Sequence, residues 1–70
     1  MQHKNNYTLD WRAFGEAVHL NRRRVGSSQT VLACEIGISR NHLSQIELGH
    51  GNPSYIIVMA LCRLLTIEPP

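Results

Sequence analysis

The sequence lacks any long hydrophobic run: the longest, residues 55–62, falls far short of the roughly eighteen residues that a membrane span requires. Cysteine is scarce. Cys34 and Cys62 have no Cys-x-x-Cys neighbour and no histidine at metal-ligand spacing, which argues against a disulfide scaffold and against a zinc module, and no metal or other cofactor is expected. Both cysteines stand among apolar residues and are expected in the core. No paired carboxylates and no Ser, His and acid constellation can be picked out, and 70 residues are too few for most catalytic folds, so an enzyme is not expected. Charge of one sign is also nearly absent as a signal. Seven Lys plus Arg against five Asp plus Glu leave a formal net charge of +2, which permits a nucleic-acid partner without demanding one. The polar start, Met1-Gln2-His3-Lys4-Asn5-Asn6, carries no targeting signal, and a soluble chain in the reducing cytoplasm is expected.

What the sequence does have is apolar residues, 43% of the chain, set at helical spacing between helix punctuation. Residues 1–9 are read as a flexible arm and residues 10–68 as one domain. Asp10 offers an N-cap, with Leu9 as a staple, for a helix over residues 11–24 whose apolar face is Trp11, Phe14 and Val18, continued by Val25. Arg22, Arg23 and Arg24 complement the negative end of that helix, and Gly26 supplies a terminator. Ser28 caps a second helix over residues 29–36, with Leu32, Ala33 and Ile36 inward, closed by Gly37. Ser39 caps a third over residues 40–48, with Leu43 and Ile46 inward and Gly49 at its end. Pro53-Ser54 opens a last helix over residues 55–65, and no strand is expected. Two short helices joined by a tight glycine turn form a helix-turn-helix, here about residues 28–48.

From Phe14 to Ile67 the order of features resembles the small DNA-binding domain of the lambda repressor, Cro and Xre-type family. The resemblance rests on Ser28-Gln29, Leu32-Ala33, Ile36-Gly37-Ile38-Ser39, Leu43-Ser44-Gln45-Ile46-Glu47-x-Gly49 and Asn52-Pro53-Ser54 in that order and spacing, over about three quarters of the chain. It implies an all-α, four- to five-helix lambda repressor-like domain that binds double-stranded DNA, with the helix after Ser39 as the recognition helix. Arg40, Asn41, Ser44 and Gln45 then occupy its outward positions and are the expected base readers. Arginine pairs bidentately with guanine, and asparagine or glutamine with adenine. Ser28, Gln29, Ser39, Arg23, Arg24, His42 and His50 are the expected phosphate contacts, Gln29 in the position of a family glutamine that also braces the recognition helix. Arg22 and Glu47 correspond to a pair that forms an internal salt bridge in many members; the competing reading places Arg22 with Arg23 and Arg24 in a phosphate-binding cluster.

Three departures qualify the resemblance. Ser27 stands where the family usually has an apolar residue, Leu48 where it usually has a polar or basic one, and many relatives carry a fifth helix after the last one read here. The last helix also bears a second apolar stripe, Ile56, Ile57, Ala60 and Leu64, beside the inward stripe of Val58, Leu61, Cys62 and Leu65. The cover expected for it is the same helix of a second copy, giving a nucleoid-associated homodimer on a palindromic site; the alternative is that Tyr7, Leu9 and Trp11 fold over it within one chain. The function expected is that of a repressor. The alternative is a protein-interaction module, such as an antitoxin that binds a toxin through the same scaffold.

Overall fold

The computed structural model describes residues 10–68, and these form four helices: α1 (Trp11–Arg24), α2 (Gln29–Ile36), α3 (Arg40–Glu47) and α4 (Tyr55–Leu65), with no strand among the described residues. Each begins at a side-chain cap. Asp10 Oδ1 accepts from the Ala13 amide at 3.0 Å, and the hydroxyls of Ser28, Ser39 and Ser54 accept from the amides of Val31, His42 and Ile57. Each cap satisfies one of the orphan donors of a first helical turn. The arm, the Leu9 staple and the cover by Tyr7 and Leu9 lie outside the described residues.

Phe14 and Val18 from α1, Leu32 and Ala33 from α2, Leu43 and Ile46 from α3, and Val58, Leu61, Cys62 and Leu65 from α4 make one buried core. Trp11, Ile36, Ile38, Ile57 and Ile67 close its margins, with Trp11 set edge-on to Phe14 at a ring separation of 5.9 Å. α3 packs on both α1 and α2, so the helix-turn-helix pair is seated on the long first helix.

The turn between α2 and α3 shows how little chain is needed to redirect the backbone. Gly37 has φ +79°, and the amides of Gly37 and Ile38 return to the carbonyls of Cys34 and Ala33. This left-handed cap consumes two orphan carbonyls and leaves only Ile38 before the Ser39 cap. Gly15 answers a different demand. A Cβ there would overlap the Ile46 carbonyl oxygen and lie 2.8 Å from that of Glu47, so the glycine lets α1 lie against the backbone at the end of α3.

Four expectations need correction. Cys34 is exposed, because it follows Ala33 by one residue, about 100° further around α2, and so leaves the buried face. Cys62 is buried, and burial pushes its thiol pKa up. Val25 is exposed: it is the C-cap of α1, beyond the face that carries Phe14 and Val18. α3 stops at Glu47, with Leu48 as its exposed C-cap. The second stripe of α4 is also narrower than its sequence suggests. Ile57 packs against the core and Ala60 is half-buried, while Ile56 and Leu64 stand open together with Tyr55.

Candidate nucleic-acid interface

Helix α3 is amphipathic for a simple reason of spacing: Leu43 and Ile46, three residues apart, share one side, and both are fully sequestered in the core. Burial of each contributes about 1.5–3 kcal/mol. The opposite side presents Arg40 and Asn41, both exposed, and Ser44 and Gln45, both half-buried, so the four expected base readers lie on one short helix whose other face is fixed. His42 is exposed on the same helix, and the Ser39 hydroxyl is engaged in capping.

Two apolar side chains alone would leave α3 free to rock. Its last residue prevents this. The Glu47 side chain, only 5% exposed, accepts Arg22 Nε on Oε2 at 2.6 Å, and on Oε1 it accepts Gln29 Nε2 at 3.0 Å and Arg22 Nη2 at 3.2 Å. His19 Nδ1 lies 3.0 Å from the same Oε1. With its proton on Nδ1, His19 donates to Glu47, and the 3.3 Å approach of Arg22 Nη2 to that nitrogen is then a contact between donors rather than a further bond. Arg22 Nη1 donates to the Ser27 carbonyl at 2.9 Å, which fastens the α1–α2 loop to the same group. Thus α1, the loop, α2 and α3 converge on one carboxylate.

The electrostatics of that carboxylate are a contest. Burial pushes the Glu47 pKa up, but hydrogen bonds from Arg22, His19 and Gln29, with the Arg22 charge, outweigh burial and hold it below its ordinary value of 4.5. Glu47 therefore stays ionised and keeps its donors aligned under any neutral condition.

The clamp continues outward through Gln29. Its Nε2 faces Glu47, and its Oε1 accepts Arg40 Nη1 at 3.1 Å, so the first residue of α2 bridges the salt bridge to the first residue of α3. At the other end of α3, Gln45 Oε1 lies 3.1 Å from His50 Nδ1 in the following loop. Of the basic residues at the end of α1, Arg22 is turned inward, with its side chain 11% exposed. Arg24 is spread along its own helix onto Asn21 Oδ1, and Arg23 is exposed with no hydrogen bond among the described residues. The structure thus separates Arg22 from the other two, and Ser28 remains at the exposed N-terminus of α2.

An outward polar face on a braced second helix, reached through a three-residue turn that opens with glycine, is the geometry of a helix-turn-helix, and a helix-turn-helix family model matches residues 18–70. The chain belongs to the helix-turn-helix family. Within it, the type is that of Xre and the lambda repressor, a family of DNA-binding transcriptional regulators rather than of enzymes. Over 55 residues, 77% of this chain, it is 40% identical to the HTH-type transcriptional regulator SlrR of Bacillus subtilis (strain 168). The match takes in 36% of that regulator, so the chain spans about a third of its length. Among solved structures it is similar to the restriction-modification controller protein C.AhdI from Aeromonas hydrophila, with TM-score 0.76 and 33% identity over 86% of this chain and 91% of the controller. No helix of this helix-turn-helix domain is long and apolar enough to cross a membrane among the described residues.

Two parts of the site were not read from the sequence. His19 was missed as a clamp donor, although it sits three residues before Arg22 and so on the same side of α1. Gly15 was missed as a contact with α3. A glycine between Phe14 and Val18, in the middle of a buried helical face, costs helix stability and signals a close neighbour.

Proposed function

We propose that this domain is a sequence-specific DNA-binding regulator that represses by occupying its operator, with α3 lying in the major groove. The observation that carries this reading is the α3 outer face: Arg40, Asn41, Ser44 and Gln45 on a helix held from beneath by core packing and the Glu47 clamp. Side chains on so constrained a helix hold a fixed pose toward base edges, which is what discrimination between bases requires. Phosphates along the groove edges meet Arg23, Arg24 and His42, together with Ser28, Gln29 and Ser39 at the N-termini of α2 and α3.

The open residues of α4 support a second element of the proposal. Ile56, 78% exposed, and Leu64, 48% exposed, lie on the side of the helix turned away from the core. A second copy placed against Ile56, Ile57, Ala60 and Leu64 removes this apolar surface from water and sets two α3 helices on half-sites about one DNA turn, ~34 Å, apart.

The test is selection of bound duplexes from a random pool at two salt concentrations, repeated with Arg40→Ala and Arg23→Ala. A palindromic motif enriched at both concentrations is expected, with Arg40→Ala relaxing one position in each half-site. Arg23→Ala is expected to weaken all duplexes alike and to reduce the salt slope by about 1. Binding without any motif, lost at the higher salt, would overturn sequence-specific reading.

A further inference from the structure

We infer that His50 is a specificity-determining positioning residue, which turns Gln45 into a hydrogen-bond donor toward guanine rather than a bidentate reader of adenine. The inference rests on the reading of α3 as the helix that faces DNA. His50 lies outside that helix, in the loop between α3 and α4, and its ring reaches back so that Nδ1 lies 3.1 Å from Gln45 Oε1. A nitrogen facing a carbonyl oxygen must carry the proton, so His50 donates and Gln45 accepts. The backbone supports this reach: the His50 amide donates to the Gln45 carbonyl at 2.9 Å, fixing the loop residue over the last turn of α3.

The consequence concerns which atoms Gln45 has left. To read adenine, a glutamine turns both ends of its amide to the base edge, with Oε1 accepting from N6 and Nε2 donating to N7. Here the oxygen faces the loop and one of its two lone pairs is taken by His50, which competes with acceptance from N6, while Nε2 makes no hydrogen bond among the described residues. An amide whose oxygen is held back and whose N–H groups face outward fits an edge that offers only acceptors. Guanine, with N7 and O6 side by side, is such an edge, whereas adenine would set its own N6 donor against the Nε2 donors.

The experiment is the duplex selection above, made at pH 8 with the wild type, Gln45→Ala, His50→Phe and His50→Asn. His50 is exposed, so its replacement leaves the core untouched. Gln45→Ala identifies the position that Gln45 reads, as the one whose preference it erases. At that position the wild type is expected to select guanine, and His50→Phe, which keeps a ring without a donor, is expected to raise adenine relative to guanine on the order of tenfold. His50→Asn places an amide N–H near the former Nδ1 and is expected to keep guanine. Adenine at that position in the wild type, or a preference unmoved by His50→Phe, overturns the inference while leaving sequence-specific binding intact. A uniform loss of affinity across all duplexes in His50→Phe also overturns it, because that is the signature of a phosphate contact. Absence of any motif in the wild type removes the reading beneath it, and is distinguishable from all of these.

Discussion

Helices α3 and α4 leave the same core in opposite manners. α3 sends in two apolar side chains, Leu43 and Ile46, and is then tied at Glu47 by hydrogen bonds from His19, Arg22 and Gln29. α4 sends in four, Val58, Leu61, Cys62 and Leu65, and makes no side-chain hydrogen bond to another helix among the described residues. The difference teaches what each kind of force can do. Apolar burial holds a helix down but is non-directional, so it tolerates small rotations; hydrogen bonds to a sequestered carboxylate fix distance and angle together. Under the proposed function, α3 as a base reader needs the second kind of anchoring, and α4 as a surface for a second copy is served by the first.

Replacing Gly15 by alanine attacks the α1–α3 side of this comparison most severely, because the added methyl meets backbone carbonyls of Ile46 and Glu47 that cannot swing aside. A loss of about 3 kcal/mol is expected in urea unfolding, a large share of the stability of so small a domain. A loss near zero would mean that α3 can lift from α1 freely.

Glu47→Gln comes next. It keeps the shape but strips Arg22 of its counter-charge, and about 3 kcal/mol is expected to be lost at pH 7. The pH dependence follows from the lowered Glu47 pKa. Its contribution to stability is fully present above the ordinary value of 4.5 and is lost as pH falls through the lower folded value, so the gap between wild type and Glu47→Gln should close as pH drops below 4.5. Thermal unfolding at neutral and acid pH measures this. A gap that persists unchanged through the acid range would place the effect in packing rather than charge.

The N-termini sharpen the comparison by being alike. Ser39→Ala and Ser54→Ala each remove one hydroxyl cap, and each should cost about 1 kcal/mol. Unequal losses would show that the two helices differ in how they begin as well as in how they are held.

The smallest effect on stability is expected on the open side of α4. Ile56→Ser should change the unfolding free energy by less than about 0.5 kcal/mol in dilute solution, since the side chain is 78% exposed. Sedimentation should nonetheless show weaker self-association than in the wild type. Unchanged association would move the dimer surface away from this stripe.

Much of this architecture is legible without coordinates. The four serine and aspartate caps, the glycine turn at Gly37 and the 3.6-residue spacing of Phe14, Val18, Leu43, Ile46, Leu61 and Leu65 are local features, decided by residues within a turn of one another. The same local reading failed at Cys34 and Val25, where apolar character was taken for burial. Hydropathy states what a side chain tolerates, whereas the direction of its Cα–Cβ bond states where it points.

The sequence by itself determined the helices, their ends and the residue types displayed on α3, because these depend on short-range sterics and on the few donors and acceptors at each helix terminus. Tertiary structure alone decided that His19, Arg22, Gln29 and Glu47, spread over 29 positions, share one carboxylate, and that Gly15 touches the backbone of α3. It also decided that the His50 ring lies 3.1 Å from the amide oxygen of Gln45. Hydrogen bonds act over about 3 Å, so which groups they join depends on how helices pack in space, a relation that residue order leaves open.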